Sequence, residues 1–294
     1  MCIQTELQRF QTEFNQTLVQ TFSQLPNDIA PKLHQAMEYS VSNGGKRLRP
    51  FLLQIMAKVL AIDPKLIQPA AVALECIHSY SLVHDDLPAM DDDDLRRGKP
   101  TCHIQFDEAH AILAGDALQT LAFELLINAD VQTDIKLSWV KILAQASGYQ
   151  GMCGGQSLDL EAENKSVGLE SLANIHSLKT GALLKAAVSM GCAAQRNLSD
   201  EQKQKFERFA ELIGLAFQIQ DDILDVTATT DALGKPQGSD QKSNKSTYPS
   251  LLGLTGAVHK AEQVFQSALE QIEDLPYNTQ PLMDFAQFII KRQH

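Results

Sequence analysis

Apolar residues recur along the chain at helical intervals. Ile112, Leu113, Ala117, Leu118, Leu121, Leu125 and Leu126 mark one stripe. Phe206, Phe209, Ile213, Phe217 and Leu224, with Ala210 and Ala216 between them, mark another. No segment sustains the period-2 alternation of a half-buried strand. Proline breaks a helix by removing a donor and clashing with the preceding turn, and it is absent between Pro100 and Pro236. That stretch has room for several unbroken helices. The pattern predicts an all-α chain, with residues 1–294 forming one helical bundle. Loops are expected at 91–100, 161–170 and 227–248. The last is rich in Gly, Ser, Thr, Asn and Lys and long enough to act as a lid.

Composition narrows the function. Hydrophobic residues make up 44% of the 294, enough to fill a core, so a disordered chain is excluded. A net charge of -11 argues against nucleic acid as a partner, which requires a basic face. Small anions stay possible ligands, since a site can be locally basic. The five cysteines, Cys2, Cys76, Cys102, Cys153 and Cys192, are odd in number and form no C-x-x-C, so neither a disulfide framework nor a zinc site is expected. A reducing cytoplasm fits that usage. The first residues lack a basic stretch followed by an apolar run, so no signal peptide is expected. No membrane span is expected either, because no run of about 18 uninterrupted apolar residues exists. The nearest, 109–129, is broken by Asp116, Gln119 and Glu124.

Two acidic clusters carry the candidate chemistry. Asp221 and Asp225 stand four apart, on one face of a predicted helix, with Gln218 one turn earlier. With Asp222 they make three carboxylates on a hydrophobic helix, which repel one another and resist desolvation. A divalent cation would neutralise them, and all-oxygen donors suit Mg²⁺ or Ca²⁺. A solvated acidic patch is the plainer reading of that cluster taken alone. The first cluster ends an apolar run that reads as helix. Pro88 disfavours helix at Leu87, so Asp85 and Asp86 sit at a helix C-terminus, where the dipole already adds negative charge, and Asp91 folds back over them. Asp92, Asp93 and Asp94 read as a solvated loop face. An EF-hand fails, since the sixth position from Asp91 is Arg96 and the twelfth Cys102.

Bases occur in small groups: Lys46, Arg47 and Arg49; Arg96 and Arg97; Lys179 beside Thr180; Lys235 and Lys245. Lys46 and Arg49 are three apart, so one face can present both while Arg47 points away. Each group alone reads as surface decoration, and Arg96 and Arg97 can pair with Asp92–Asp94. Together, acids and bases suit a magnesium–diphosphate ligand, with arginine gripping phosphate bidentately and lysine acting as a point charge.

GGKRLRP (44–50), HSYSLVHDDLPAMDDDDLRRGKPTCH (78–103), AGDALQTLAF (114–123), GGQSLDL (154–160), HSLKTGALL (176–184), FQIQDDILDV (217–226) and the 233–253 loop, in that order, resemble the trans-isoprenyl diphosphate synthase family. Within it, the likeness is to the bacterial farnesyl diphosphate synthases. The resemblance covers about residue 14 to the end. It implies about ten helices around a central cavity, a homodimer and three Mg²⁺ ions. It gives Asp85, Asp91 and Asp221 as metal ligands, with Asp86, Asp222 and Asp225 supporting. Lys46, Arg49, His78 and Arg97 match the isopentenyl diphosphate site. Arg96, Lys179, Lys235 and Lys245 match contacts to the allylic diphosphate. Thr180 and Gln218 face the developing carbocation, and Gln156 and Asp159 stand behind the metals. Without the resemblance, His78 reads equally as an interior histidine. Tyr80 and Ser81, five and four residues before Asp85, match the positions that limit chain length. A lone Tyr80 is otherwise an ordinary core aromatic. The resemblance therefore implies a magnesium-dependent prenyltransferase that stops at farnesyl diphosphate, with geranyl and geranylgeranyl diphosphate as alternative products. A class I terpene cyclase fits worse, because DDILD and GGKRLRP are not its motifs. A non-catalytic partner subunit would have lost aspartates or bases, and none is missing. The FIIKRQH ending lacks the Arg-x-x-Arg of some relatives, which puts Arg292 in doubt as an acceptor contact.

Overall fold

A computed structural model describes residues 2–227 and 245–291. Among them the fold is helical, in chain order α1 (Ile3–Ser23), α2 (Pro31–Ser42), α3 (Leu48–Val59), α4 (Pro64–Asp85), α5 (Cys102–Gln105), α6 (Glu108–Asn128), α7 (Thr133–Ser147), α8 (Met152–Ala162), α9 (Leu169–His176), a π-helical turn (Ser177–Gly181), α10 (Ala182–Ala194), α11 (Asp200–Thr227), α12 (Tyr248–Glu270) and α13 (Gln280–Lys291). One antiparallel ladder of two residues a side, β1 (Leu95–Arg96) with β2 (Lys99–Pro100), closes the loop after α4. The expected loops at 91–100 and 161–170 lie between α4 and α5 and between α8 and α9, the first holding the β1–β2 ladder, while most of the third, 228–244, lies outside the described residues; the proline-free stretch holds α5 to α11.

The chain divides into two compact units, residues 1–54 with 65–140, and residues 55–64 with 141–294. In the first, α4 is a core helix, buried continuously from Ala70 to Ile77. Glu75 within it pairs with Arg47, both out of solvent. α1 turns a stripe of Leu7, Phe14, Leu18 and Phe22 inward. In the second unit α11 packs against α10 and α12, burying Phe206, Phe209 and Ile213. α12 starts at a reciprocal cap, in which Thr247 and Ser250 each accept the other's backbone N–H.

Two readings need correcting. Ile112 and Leu113, expected in the apolar stripe of α6, are about half exposed, while Leu118, Leu121 and Leu126 are buried. Phe217 is only partly buried on α11, where Leu224 goes into the core. α4 and α6 are also long and apolar enough to cross a membrane by length and composition, despite the polar residues that interrupt them. Two-thirds of α4's apolar window is buried inside the protein, as in any core helix.

Candidate active site

The first unit presents the end of α4 and the Gly44–Arg47 loop. α4 stops at Asp85, as Pro88 requires, and the chain turns back so that the Asp91 N–H donates to the Asp85 carbonyl at 2.8 Å. Asp91 is exposed and Asp85 half-buried. Asp86 lies inside, 3% exposed, where Arg96 Nε donates to its Oδ1 at 2.5 Å. Burial pushes the Asp86 carboxyl up, against the pull of Arg96. Arg96 reaches Asp93 as well, at 3.4 Å, so the pairing of this arginine with the acidic run is real but centred on Asp86.

The expected helical face of Lys46 and Arg49 is not helical. α3 begins only at Leu48, because Gly44, Gly45 and Arg47 all take positive φ (78°, 126° and 52°). Gly45 also leaves room for a neighbour: a Cβ there would lie 2.5 Å from Arg97 Nη1, which donates to the Gly44 carbonyl. The loop leaves Lys46 exposed, Arg49 half-buried and Arg47 inside. Its carbonyl at Lys46 accepts from Gln11 Nε2 at 2.9 Å. On α4, burial first, and then Arg49, Arg97, Arg47 and Arg96, hold the His78 imidazole well below its ordinary value. His78 is therefore neutral in a strongly positive environment. Two residues on, the Tyr80 ring is buried and meets His84 edge to face, while Ser81 Oγ donates back to the His78 carbonyl at 2.9 Å.

The second unit builds around the π-helical turn that carries Lys179 and Thr180. A π turn inserts one residue into a helix and often marks a functional site. Here it is gripped from two sides. A Cβ on Gly155 of α8 would overlap Lys179 N, and one on Gly214 of α11 would stand 3.0 Å from Gly181 Cα. Lys179 Nζ donates to Asp159 Oδ2 at 2.7 Å, and Lys245 Nζ to the same oxygen at 3.1 Å. Burial raises the Asp159 carboxyl, but the two ammoniums outweigh it and hold it below its ordinary value. On α11, Gln218 Nε2 donates to Asp221 Oδ2 at 3.0 Å. Asp221 is half-buried, whereas Asp222 and Asp225 are buried. Asp222 Oδ2 accepts the Tyr248 N–H at 2.8 Å. Asp159, His176, Lys179, Gln218, Asp222 and Lys245 line one cleft of about 140 Å³. Burial brings the His176 imidazole down to about 4, and its buried Nδ1 has no hydrogen-bond partner in the protein. The Gln156 carboxamide is also buried with neither end hydrogen-bonded in the protein. Thr180 is half-buried in the turn. Lys235 and Arg292 lie outside the described residues.

Among the described residues, no three His, Cys, Asp or Glu side chains converge to hold an ion by themselves. Magnesium does not require such a cluster, because it keeps several waters and binds through one or two carboxylates plus substrate phosphate oxygens. Sequence reasoning had not singled out His176 or the shared Asp159 oxygen. The first carried a signal, directly after the apolar Ile175 and three residues before Lys179; Asp159 itself had been named, but nothing in the sequence joins its oxygen to both Lys179 and Lys245.

Comparison with known proteins points to one family. Residues 30–280 match the polyprenyl synthetase family. A farnesyl diphosphate synthase of Haemophilus influenzae is 51% identical over 98% of both chains. One from Escherichia coli is 50% identical over 95% of both. A crystal structure of a Helicobacter pylori geranyltransferase, complexed with magnesium and isoprenyl diphosphate, superposes with a TM-score of 0.82 at 34% identity, covering 96% of this chain and 95% of that one.

Proposed function

The chain belongs to the polyprenyl synthetase family, and we propose that it condenses dimethylallyl and then geranyl diphosphate with isopentenyl diphosphate, head to tail, to give farnesyl diphosphate. The observation that carries this reading is the cationic setting of His78. Four guanidiniums, on Arg49, Arg97, Arg47 and Arg96, act on one neutral imidazole. An arriving diphosphate would be drawn to these guanidiniums and offset their mutual repulsion.

In the first unit, Lys46, Arg49, His78 and Arg97 hold the acceptor diphosphate. Asp85 and Asp91 serve as metal ligands, with Asp86 bracing the loop through Arg96. In the second unit Asp221 is the remaining ligand. Three magnesium ions are proposed, and when bound they supply positive charge that stabilises the departing diphosphate. The chain's own part is positioning and charge. Lys179, Lys245, Arg96 and Lys235 grip the allylic diphosphate as its C–O bond breaks. To do so, Lys179 and Lys245 loosen from Asp159, which otherwise keeps both ammoniums in place. Thr180 and Gln218 aim oxygens at the allylic cation. The acceptor double bond attacks that cation, and the proton then lost goes to the released diphosphate. Water is excluded so that no alcohol forms.

A second copy of the chain is proposed as partner, in a homodimer working in the cytoplasm. Ile112, Leu113 and Ile127 on α6 and Leu137 on α7 are exposed apolar residues that such a partner would cover. The test of function is direct. Purified chain incubated with Mg²⁺, geranyl diphosphate and isopentenyl diphosphate should release a C15 diphosphate on chromatography. Absence of condensation at any substrate concentration would sink the reading.

A further inference from the structure

Tyr80 does not stand alone on α4. His84 lies four residues on, on the same helix face, and their ring centroids are 5.7 Å apart at an interplanar angle of 82°. Such an edge-to-face contact fixes both rings in orientation. Tyr80 is 5% exposed, so its ring is held by packing, with His84 one of the side chains against it.

His84 is itself held by α6. Its Nε2 lies 3.0 Å from the Ile112 carbonyl. A carbonyl only accepts, so Nε2 carries the proton and donates. Three residues along α6 stands Gly115, with its backbone against the same imidazole. A Cβ built there would overlap Nε2 and come within 2.5 Å of Cδ2 and 2.8 Å of Cε1. Gly115 is not in a left-handed conformation, so backbone freedom does not call for glycine here. Glycine within a helix weakens it relative to alanine. The missing side chain instead opens the seat in which the ring lies.

We propose that His84, seated on Gly115 and the Ile112 carbonyl, is a positioning residue for product length: it backs the Tyr80 ring so that the ring stays across the path of the growing chain. This rests on the reading that Tyr80 limits chain length. The chain of contacts runs from α6 through His84 to Tyr80. A methyl group added at Gly115, outside the proposed diphosphate contacts, therefore reaches the product boundary. The imidazole is the movable end of a side chain, so Gly115→Ala displaces the ring from its seat and leaves the helix better formed.

The test measures products after exhaustive incubation with geranyl diphosphate and excess isopentenyl diphosphate. Four variants are compared: Gly115→Ala, His84→Ala, the two combined, and Tyr80→Ala. Circular dichroism and the initial rate of the first condensation check that each is folded. Tyr80→Ala is expected to release C20 or longer products. His84→Ala and Gly115→Ala should each raise the C20:C15 ratio several-fold over the parent. The combined variant should match His84→Ala alone, because the added methyl then has no ring to displace. If Tyr80→Ala lengthens the product while the folded His84→Ala and Gly115→Ala variants keep the parent ratio, the positioning role is wrong. If Tyr80→Ala itself still stops at C15, the floor reading fails on its own account and takes the clamp with it.

Discussion

Glu75→Gln is the sharpest perturbation the fold offers. The Arg47 and Glu75 side chains are 1% and 2% exposed, and Arg47 Nη1 lies 2.5 Å from Glu75 Oε1. Arg47 also donates Nε–H to Asn15 Oδ1 at 3.1 Å and Nη2–H to the Val41 carbonyl at 2.7 Å. One guanidinium thus ties α1, α2 and α4 to the loop between Gly44 and Leu48. The glutamine keeps the shape and removes the charge, leaving Arg47 buried without its counter-ion. Breaking one side of a buried pair costs about 3–5 kcal/mol. In a chain of this size each kcal/mol moves the thermal midpoint by about 2–4 °C, so the transition should fall by roughly 6–20 °C. Arg47 holds its left-handed backbone between Lys46 and Arg49, so the apparent KM for isopentenyl diphosphate should rise before that for geranyl diphosphate. The assay is a thermal melt by circular dichroism with initial rates below the transition. Arg47→Met combined with Glu75→Leu should recover most of the stability, since apolar groups can replace a buried pair. If Glu75→Gln stays within about 1 kcal/mol of the parent, well short of that range, the pair is not what pins the loop.

Asp85→Ala and Asp221→Ala should each cut turnover severely across a Mg²⁺ titration, while Asp93→Ala, on an exposed residue, should change little; near-parental turnover of the Asp221 variant would sink the metal assignment. Arg49→Ala should raise the KM for isopentenyl diphosphate by the loss of a charged contact, about 1.5–3 kcal/mol, or roughly 10- to 150-fold. Lys179→Ala should instead lower kcat, because its contact strengthens as the leaving group gains charge; equal KM effects on both substrates in both variants would count against two separate diphosphate sites. His176 bears on stability and pH: its folded value of about 4 lies below the ordinary 6.5, so between them the unfolded chain binds a proton that the folded one refuses. Stability should fall as pH drops from about 6.5 to about 4, by on the order of 3 kcal/mol from this group, and denaturant titrations of His176→Phe should lack that component. Ser81→Phe, one residue nearer Asp85 than Tyr80, should shift the product toward C10, and unchanged C15 output would place the floor elsewhere.

What the sequence makes legible here is whatever depends on neighbours along the chain. The end of α4 was readable because Pro88 acts on Leu87 and opens the loop in which Asp91 turns back. α11 was readable from the spacing of Phe206, Phe209 and Ile213. The apolar stripe of α6 was readable as a stripe, but periodicity cannot tell which part a neighbour covers, so Ile112 and Leu113 came out exposed. The face shared by Lys46 and Arg49 failed for a local reason, since the helical spacing was counted through an arginine whose φ is positive. The π turn leaves no compositional mark. The meeting of Lys179 and Lys245 on one Asp159 oxygen joins residues 20 and 86 positions away. Only the folded chain brings such groups within bonding distance.

Burial sorts the motif aspartates without reference to any relative. Asp86, Asp222 and Asp225 lie inside, and Asp85, Asp91 and Asp221 stand closer to solvent. A buried carboxylate is stable only with partners, and two of the inner three show theirs: Arg96 for Asp86 and the Tyr248 N–H for Asp222. Those contacts fasten the loop after α4 and the start of α12, each in its own unit. The outer three keep oxygens that solvent, and therefore a hydrated cation, can reach. The same division follows from the family resemblance, which makes the outer three ligands and the inner three supports. Asp222→Asn should accordingly act through the fold: it keeps an acceptor for the Tyr248 N–H, so activity lost at normal temperature should return in part on cooling. Asp221→Asn removes a charge from an already accessible oxygen, and its lost turnover should respond to added Mg²⁺ and not to temperature. A temperature-sensitive Asp221→Asn with an unchanged Mg²⁺ requirement would reverse the two assignments.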